Sequence, residues 1–100
     1  MSELEENKIS EYINNSLDYF HTSSLGCAAA LITIGFESFL VDISRNKEAV
    51  FVFPRSGDMD YRIKEYWNNT LEVKSRSFID NIRNLERRTK VKIDAYERSN

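Results

Sequence analysis

The single histidine of the chain is the first residue whose chemistry matters. Asp18 precedes His21, and Ser23 and Ser24 follow it, so the three residue types of a hydrolytic triad occur close together. A triad also requires that the serine and the carboxylate meet the two ring nitrogens of the histidine. Helix capping explains the serines more simply, because a serine hydroxyl accepts from the first free amide groups of a helix. We therefore predict no catalytic role for His21.

Metal and phosphate chemistry are not indicated either. A structural zinc site takes four Cys or His ligands as a rule, and this chain has one of each. Gly26, Gly35 and Gly57 are isolated, so they form no glycine-rich phosphate loop. Asp58 and Asp60 are close enough to share a hard cation, but a helix N-cap followed by a first-turn acid is the simpler interpretation. The sequence predicts a protein that is not an enzyme and needs no cofactor or metal.

The lone cysteine predicts a location as well as a structural role. Cys27 precedes three alanines and has no His or Lys beside it to favour the thiolate, so we expect a buried thiol in a reducing compartment. The first residues are polar and acidic, unlike a signal peptide. The longest apolar run, residues 26–34, is far shorter than the roughly 20 residues of a membrane span. We expect a cytoplasmic protein without membrane contact.

The charges of the chain are divided unevenly. The net charge is −2, yet the segment from Lys74 onward carries eight basic and four acidic residues, a balance of +4 against −6 for the rest. A basic segment on an acidic body is typical of contact with nucleic acid or an acidic partner. It is also typical of a helix face that is merely solvated.

Six of these basic residues fall into two rows at helical spacing. The first row is Arg76, Arg83, Arg87 and Lys90, and the second is Arg88 and Lys92. Such rows can neutralise phosphates. Acidic residues interrupt them and can instead pair with them within the helix; these are Asp80, Glu86 and Asp94. Nucleic-acid contact and internal pairing both stay open.

A group of aromatic residues is the second candidate surface. Tyr66 and Trp67 precede two asparagines, and aromatics beside amides can stack bases or anchor a protein interface. The simpler interpretation is that Trp67 belongs to the core, with Tyr66 partly exposed. Tyr61, on the other side of the same helix, is predicted to lie at the surface.

The elements that must position these residues follow from hydrophobic periodicity. Residues 1–16 form an N-terminal extension, partly helical or frayed, and residues 17–100 form one domain. The domain begins with a strand, an almost entirely apolar helix that ends at Gly35, and two strands joined by a polar turn; the predicted ranges are 17–21, 24–34, 36–43 and 49–53. The third strand is apolar on both faces, so we place it at the centre of the sheet.

Two more helices complete the predicted order. The first begins near Asp58, with an apolar stripe of Met59, Ile63, Tyr66 and Trp67. A long helix then runs from Ser75 or Ser77 to Arg98, and residues 71–73 between the two can add an edge strand. The inner stripe of the long helix is Phe78, Ile82, Leu85, Thr89, Ile93 and Tyr96. This order predicts an α+β fold with two layers, about three antiparallel strands and three main helices.

Several segments resemble a family of small uncharacterised proteins of bacteriophages and other mobile elements. The resemblance rests on the Phe-x-Thr-Ser, Ala-rich and Gly-Phe run at 20–36, the Val-Phe-x-Phe strand at 50–53, the Tyr-Trp-Asn segment at 66–69, and Leu85 with its nearby arginines. It covers about residues 19–90 and carries no known activity. It implies an accessory protein in the cytoplasm of a bacterial host.

Together these features predict a protein that acts through its surface. We expect an accessory protein that binds nucleic acid or a replication enzyme through its basic C-terminal helix. The predicted contact residues are Arg76, Arg83, Arg87, Arg88, Lys90, Lys92, Tyr61 and Tyr66. Two alternatives stay open: an anti-CRISPR-like inhibitor that binds a host defence complex, and a structural module that forms homodimers.

Overall fold

A helix with almost no polar side lies at the centre of the fold. The computed structural model of the protein describes residues 18–36, 40–43 and 48–99. Helix α1 spans Leu25–Thr33, and its residues Cys27 to Leu31 are all buried. Because a helix that is apolar all round must be covered on every side, the other elements are arranged around α1. The predicted N-terminal extension of residues 1–16 lies outside the described residues.

Local signals set both ends of α1. Ser24 is the N-cap, and its hydroxyl oxygen accepts a hydrogen bond of 3.1 Å from the backbone amide of Cys27. At the other end Gly35 adopts a φ of 111°, a left-handed conformation that glycine tolerates without a steric cost. The predicted caps and boundaries of this helix are confirmed.

The sheet has three antiparallel strands in the order β1-β3-β2. Strand β1 spans Tyr19–Thr22, β2 spans Leu40–Ile43 and β3 spans Ala49–Pro54. Phe20 lies opposite Phe53 across one pair of strands, and Val41 lies opposite Phe51 across the other. The predicted central position of the third strand is therefore confirmed, as is the hairpin of the second and third strands.

Two strand predictions need correction. Phe36 is not part of β2, because its amide donates to the carbonyl of Leu31 and so belongs to the end of α1. Residues 71–73 add no edge strand. The amides of Thr70 and Leu71 both donate to the carbonyl of Glu65, which turns the chain at the end of the preceding helix. Leu71 and Val73 then line a small cavity together with Tyr66 and Phe78.

Helices α2 and α3 cover α1 from outside the sheet. Helix α2 spans Met59–Trp67 and α3 spans Ser75–Ser99. Leu85, at the middle of the inner stripe of α3, is buried together with Met59 in the core around Phe51 and Phe53. The α+β fold with a three-stranded antiparallel sheet, three helices and a long last helix is confirmed.

The contact between α1 and α3 includes one polar link. The side-chain amide of Asn81 donates to the hydroxyl of Thr33 at 2.9 Å, and that hydroxyl donates to the carbonyl of Ala29 at 2.7 Å. These two hydrogen bonds join α3 to the backbone of α1, and each half-buried group that takes part in them has a partner. They set the position of α3 along the axis of α1.

Helix α2 approaches α1 closely at Gly26. A Cβ atom added at Gly26 would overlap the hydroxyl oxygen of Tyr66, whereas the ring carbon Cζ of Tyr66 would lie at 3.5 Å, an ordinary contact. The hydroxyl of Tyr66, and not its ring, therefore leaves no room for a side chain at position 26.

This contact predicts a coupling between the two positions. Gly26→Ala should lower the free energy of unfolding by about 1 kcal/mol in the natural sequence, because the new methyl group displaces Tyr66. In a Tyr66→Phe background the same change should raise it by several tenths of a kcal/mol, because alanine is the better helix former. Urea denaturation of the four proteins measures both effects. Equal effects in the two backgrounds would contradict this contact.

Candidate nucleic-acid interface

The outer side of α3 presents a row of basic residues. Arg76, Arg83, Arg87 and Lys90 are exposed and share one side of the helix. We call these four residues the basic face. From Arg76 to Lys90 it extends about 21 Å at the rise of an α-helix. A duplex carries about a dozen phosphate charges over this length, so one face can contact several phosphates.

Internal pairing, the alternative interpretation of this row, is not seen in the structure. Within the described part of the chain, none of the four residues of the basic face forms an ion pair. Asp80 and Asp94 lie on the same side of the helix without engaging them. Glu86, the third acid that interrupts the row, forms no ion pair with them either, so the four cations outnumber three acids and can meet an external anion.

The two described arginines outside α3, Arg55 and Arg62, behave differently. Arg55 is paired with Asp60, and Arg62 holds Asp58 at 2.9 Å and Glu65 at 2.7 Å. The hydrogen bond that Arg62 donates to Glu65 and the charge of Asp58 raise the pKa of Arg62 above its usual value. These ion pairs consume both cations at the start of α2. Among the described residues, most of the exposed cations without an ion pair lie on α3, and the others are Lys64 and Lys74.

Other residues predicted for this interface are placed less favourably. Arg88 and Lys92 each already interact with another group of the protein. Tyr66 is half-buried, with its hydroxyl against Gly26 and its ring at 5.0 Å from that of Trp67 in an edge-to-face arrangement. Tyr61 is 62% exposed, as predicted, but stands on α2 with the Arg62 guanidinium over its ring. The structure therefore groups the four residues of the basic face and leaves the tyrosines apart.

Trp67 was predicted to lie in the core, and this prediction is wrong. Its side chain is 61% exposed at the last residue of α2. The helix ends there because Asn69 takes a left-handed conformation with a φ of 61°, so no further turn covers the indole. The periodicity of apolar residues placed Trp67 on the apolar stripe of α2. It could not show that the surrounding elements stop short of the indole and leave it exposed. An exposed tryptophan is a candidate interface residue.

The expected N-cap at Asp58 is also only partly realised. Asp58 occupies the N-cap position of α2, but its side chain makes no capping hydrogen bond. The carboxylate accepts from Arg62 instead. The first-turn acid Asp60 likewise pairs with Arg55. Both carboxylates thus form ion pairs with arginines. These pairs explain why the two acids lie close together, and no bound metal cation is needed to explain it.

The remaining candidates for chemistry are structural in this fold. Cys27 is 0% exposed, and burial raises the pKa of its thiol to about 11, which disfavours the reactive thiolate. His21 is exposed on β1, and the hydroxyl of Ser24 is engaged as the N-cap of α1. Among the described residues, no three His, Cys, Asp or Glu side chains are grouped so that they could hold a metal ion.

A groove borders the basic face on one side of α3. It lies between α3, the start of α1 and the start of β3, and has a volume of about 660 Å³. We call it the lateral groove. Its apolar lining is Leu25, Ala49, Phe51 and Ile93, and its polar lining is Ser23, Glu48, Glu86, Arg87, Thr89 and Lys90. Sequence analysis did not predict it, although Thr89, a polar residue within an apolar stripe, was a signal.

Thr89 carries the one shielded side-chain oxygen or nitrogen atom without a hydrogen-bond partner in the described part of the chain. Its hydroxyl oxygen is shielded from solvent and makes no hydrogen bond. Thr33, by contrast, uses its hydroxyl both as donor and as acceptor. An unpaired buried hydroxyl costs stability, because it has lost water without gaining a partner.

Comparison with known proteins identifies a family to which most of the chain is similar. A family profile, described as a domain of unknown function (DUF5659), matches residues 17–91. The chain belongs to this family. The match runs from just before β1 to the later part of α3, so it includes the whole basic face. No curated protein and no solved structure matches this DUF5659 protein.

The helices of the described residues lack the features of a membrane span. None of them combines the length and the apolar composition that crossing a bilayer requires. Helix α3 is long enough in residues, but its outer sides carry charges along most of its length.

The two threonines predict opposite responses to the same substitution. Thr89→Val should raise the free energy of unfolding by about 1 kcal/mol, because it removes an unpaired buried hydroxyl while keeping the shape of the side chain. Thr33→Val should lower it by about 1–2 kcal/mol, because it leaves Asn81 without its acceptor. Thermal or urea denaturation of the two variants checks the contrast. A loss of stability in both would show that Thr89 has a partner.

Proposed function

We propose that this DUF5659 protein is a non-enzymatic accessory protein that binds nucleic acid through the basic face of α3. The observation that carries the proposal is the contrast between paired and unpaired cations. Arg55 and Arg62 are neutralised by neighbouring carboxylates, whereas the four residues of the basic face are exposed without ion pairs to described residues. Unpaired arginines on a rigid helix suit phosphate oxygens, which their guanidinium groups can hold bidentately.

The basic face favours phosphate contact over reading of base sequence. Its cations follow one line along an outer helix side, and the acids Asp80 and Asp94 interrupt that line. Phosphate contacts position a protein on nucleic acid and carry no sequence information directly. We therefore propose binding with little sequence preference, in the cytoplasm of a bacterial host. The bacteriophage or mobile-element context is proposed from the resemblance of the segments at 20–36, 50–53 and 66–69.

The salt dependence of binding is the test of this function. If all four residues contact phosphates of a duplex, the logarithm of the affinity should fall with the logarithm of the salt concentration with a slope of about −3.6. That slope is a loss of roughly a hundredfold between 50 and 200 mM salt. Fluorescence anisotropy of a labelled oligonucleotide of random sequence, single-stranded and double-stranded, measures it.

Two double variants make the test specific. Arg83→Glu with Arg87→Glu should abolish binding at low salt, because the centre of the basic face becomes acidic. Lys64→Glu with Lys74→Glu makes the same change of net charge at exposed positions off this face, and should keep most of the affinity. Absence of binding by the natural sequence at low salt would refute the proposal, and so would equal losses in the two variants.

A second candidate function, binding of a protein partner, is favoured by Trp67. A tryptophan that is 61% exposed at the end of a helix offers a large contact area, and tryptophans often dominate interface energies. The partner would be a replication enzyme or a host defence complex. Homodimers are a third possibility, for which Val91, 63% exposed on α3, is the apolar residue to test.

Trp67→Ala separates these functions. Because Trp67 is mostly exposed, its removal should change the free energy of unfolding by less than about 1 kcal/mol, far from the 3–5 kcal/mol of a core tryptophan. Affinity chromatography from host lysate should then retain a protein on the natural sequence that is lost with Trp67→Ala. Tyr61→Ala, an exposed aromatic on the same helix, is the matched control. Unchanged retention by Trp67→Ala would rule out this surface.

A further inference from the structure

The lateral groove has the dimensions of a ligand site. Its volume of about 660 Å³ is within the range of about 300–1,000 Å³ that small-molecule pockets occupy. Its floor is formed by Leu25, Ala49, Phe51 and Ile93, which come from three different elements. Such sites are mainly apolar and hold a few polar groups that orient the ligand. A molecule that fills this groove therefore has an apolar body.

Two of the polar groups at the groove are cations that can meet a negative charge on that molecule. Arg87 and Lys90 line it and form no ion pair with any described residue. The start of α1 adds to this potential, because Leu25 opens the helix and no acidic residue occupies its first turn. Cationic side chains beside an apolar floor can hold a carboxylate by charge-assisted hydrogen bonds.

Two acids limit how much negative charge the groove accepts. Glu48 and Glu86 also line it, and Glu48 already interacts with another group of the protein. A ligand with several negative charges would meet these carboxylates, whereas a ligand with one anionic group can reach Arg87 and Lys90 alone. The groove thus favours a ligand with a single negative charge over nucleic acid, the ligand proposed for the basic face.

Thr89 supplies an independent reason to expect a ligand. Its hydroxyl lacks a hydrogen-bond partner among the described residues, although its side chain lines the groove. Because this hydroxyl is shielded from solvent, a rotation about the Cα–Cβ bond would have to bring it to the groove. A ligand oxygen there would provide the missing partner.

We propose that the lateral groove binds a small amphipathic anion, an apolar chain or ring that carries a single carboxylate. The apolar body covers Leu25, Phe51 and Ile93, and the carboxylate meets Arg87 and Lys90. This site goes beyond the proposed nucleic-acid function, although Arg87 and Lys90 take part in both.

Three probes of equal length test the proposal: octanoate, octan-1-ol and octylammonium. In two-dimensional NMR of the full ¹⁵N-labelled chain, octanoate should shift the amide signals of Ala49, Thr89 and Lys90 in a saturable way. Octan-1-ol should bind about tenfold more weakly or worse, because it lacks the charge. Octylammonium should be weaker still. Equal affinities for octanoate and octan-1-ol would overturn the proposal, as would octanoate shifts that map outside the groove.

Matched variants separate this site from the basic face. Arg87→Gln with Lys90→Gln should weaken octanoate binding about tenfold or more and leave octan-1-ol binding unchanged. Arg76→Gln with Arg83→Gln should leave octanoate binding unchanged while weakening nucleic-acid binding, so the two proposals can fail separately. Equal effects of the two double variants on octanoate would refute a site in the groove.

A dilution series without any probe tests the competing occupant. The amide signals of Ala49, Thr89 and Lys90 should stay in place as the protein is diluted. Movement of these signals with protein concentration would show that a second copy of the chain fills the groove, and would overturn the proposal.

Discussion

The burial of helix α1 is the constraint on which the rest of the fold depends. Five consecutive residues, Cys27 to Leu31, are removed from solvent, so neighbours must cover every side of the helix. Three alanines among them keep the helix narrow, and narrow helices let backbones approach closely. The small sheet covers one side, and α2 and α3 cover the others. A chain of this size has one modest core, and α1 is its centre.

This arrangement divides α3 into sides with different roles. The inner side contributes Leu85 to the core and Asn81 to the polar link with Thr33. The opposite side has no structural task, which leaves its cations without internal partners. The lateral groove forms between these two sides, where α3 passes the start of β3 and the start of α1. Helix α3 is longer than the core that it covers, and its remaining residues form exposed surface.

The distribution of charge follows the same division. Around the start of α2, Asp58, Asp60 and Glu65 lie within reach of Arg55 and Arg62, and all five are paired. Exposed pairs of this kind add little stability, because solvent screens them. Their consequence is electrostatic: they neutralise Arg55 and Arg62, so most of the unpaired cations among the described residues lie on α3. Net charge alone, at −2, conceals this separation.

The sequence by itself determined the elements, their order and the central strand, because each depends on local periodicity or on a capping residue such as Ser24 or Gly35. It also placed the basic residues on one side of a helix, since helical spacing is a local property. The tertiary structure alone decided which of those cations stay unpaired, that Trp67 is exposed and that residues 71–73 are not a strand. It also decided that Thr89 lacks a partner beside a groove. These outcomes depend on which elements lie side by side in space. The spacing of residues along one element does not show which other elements pack against it.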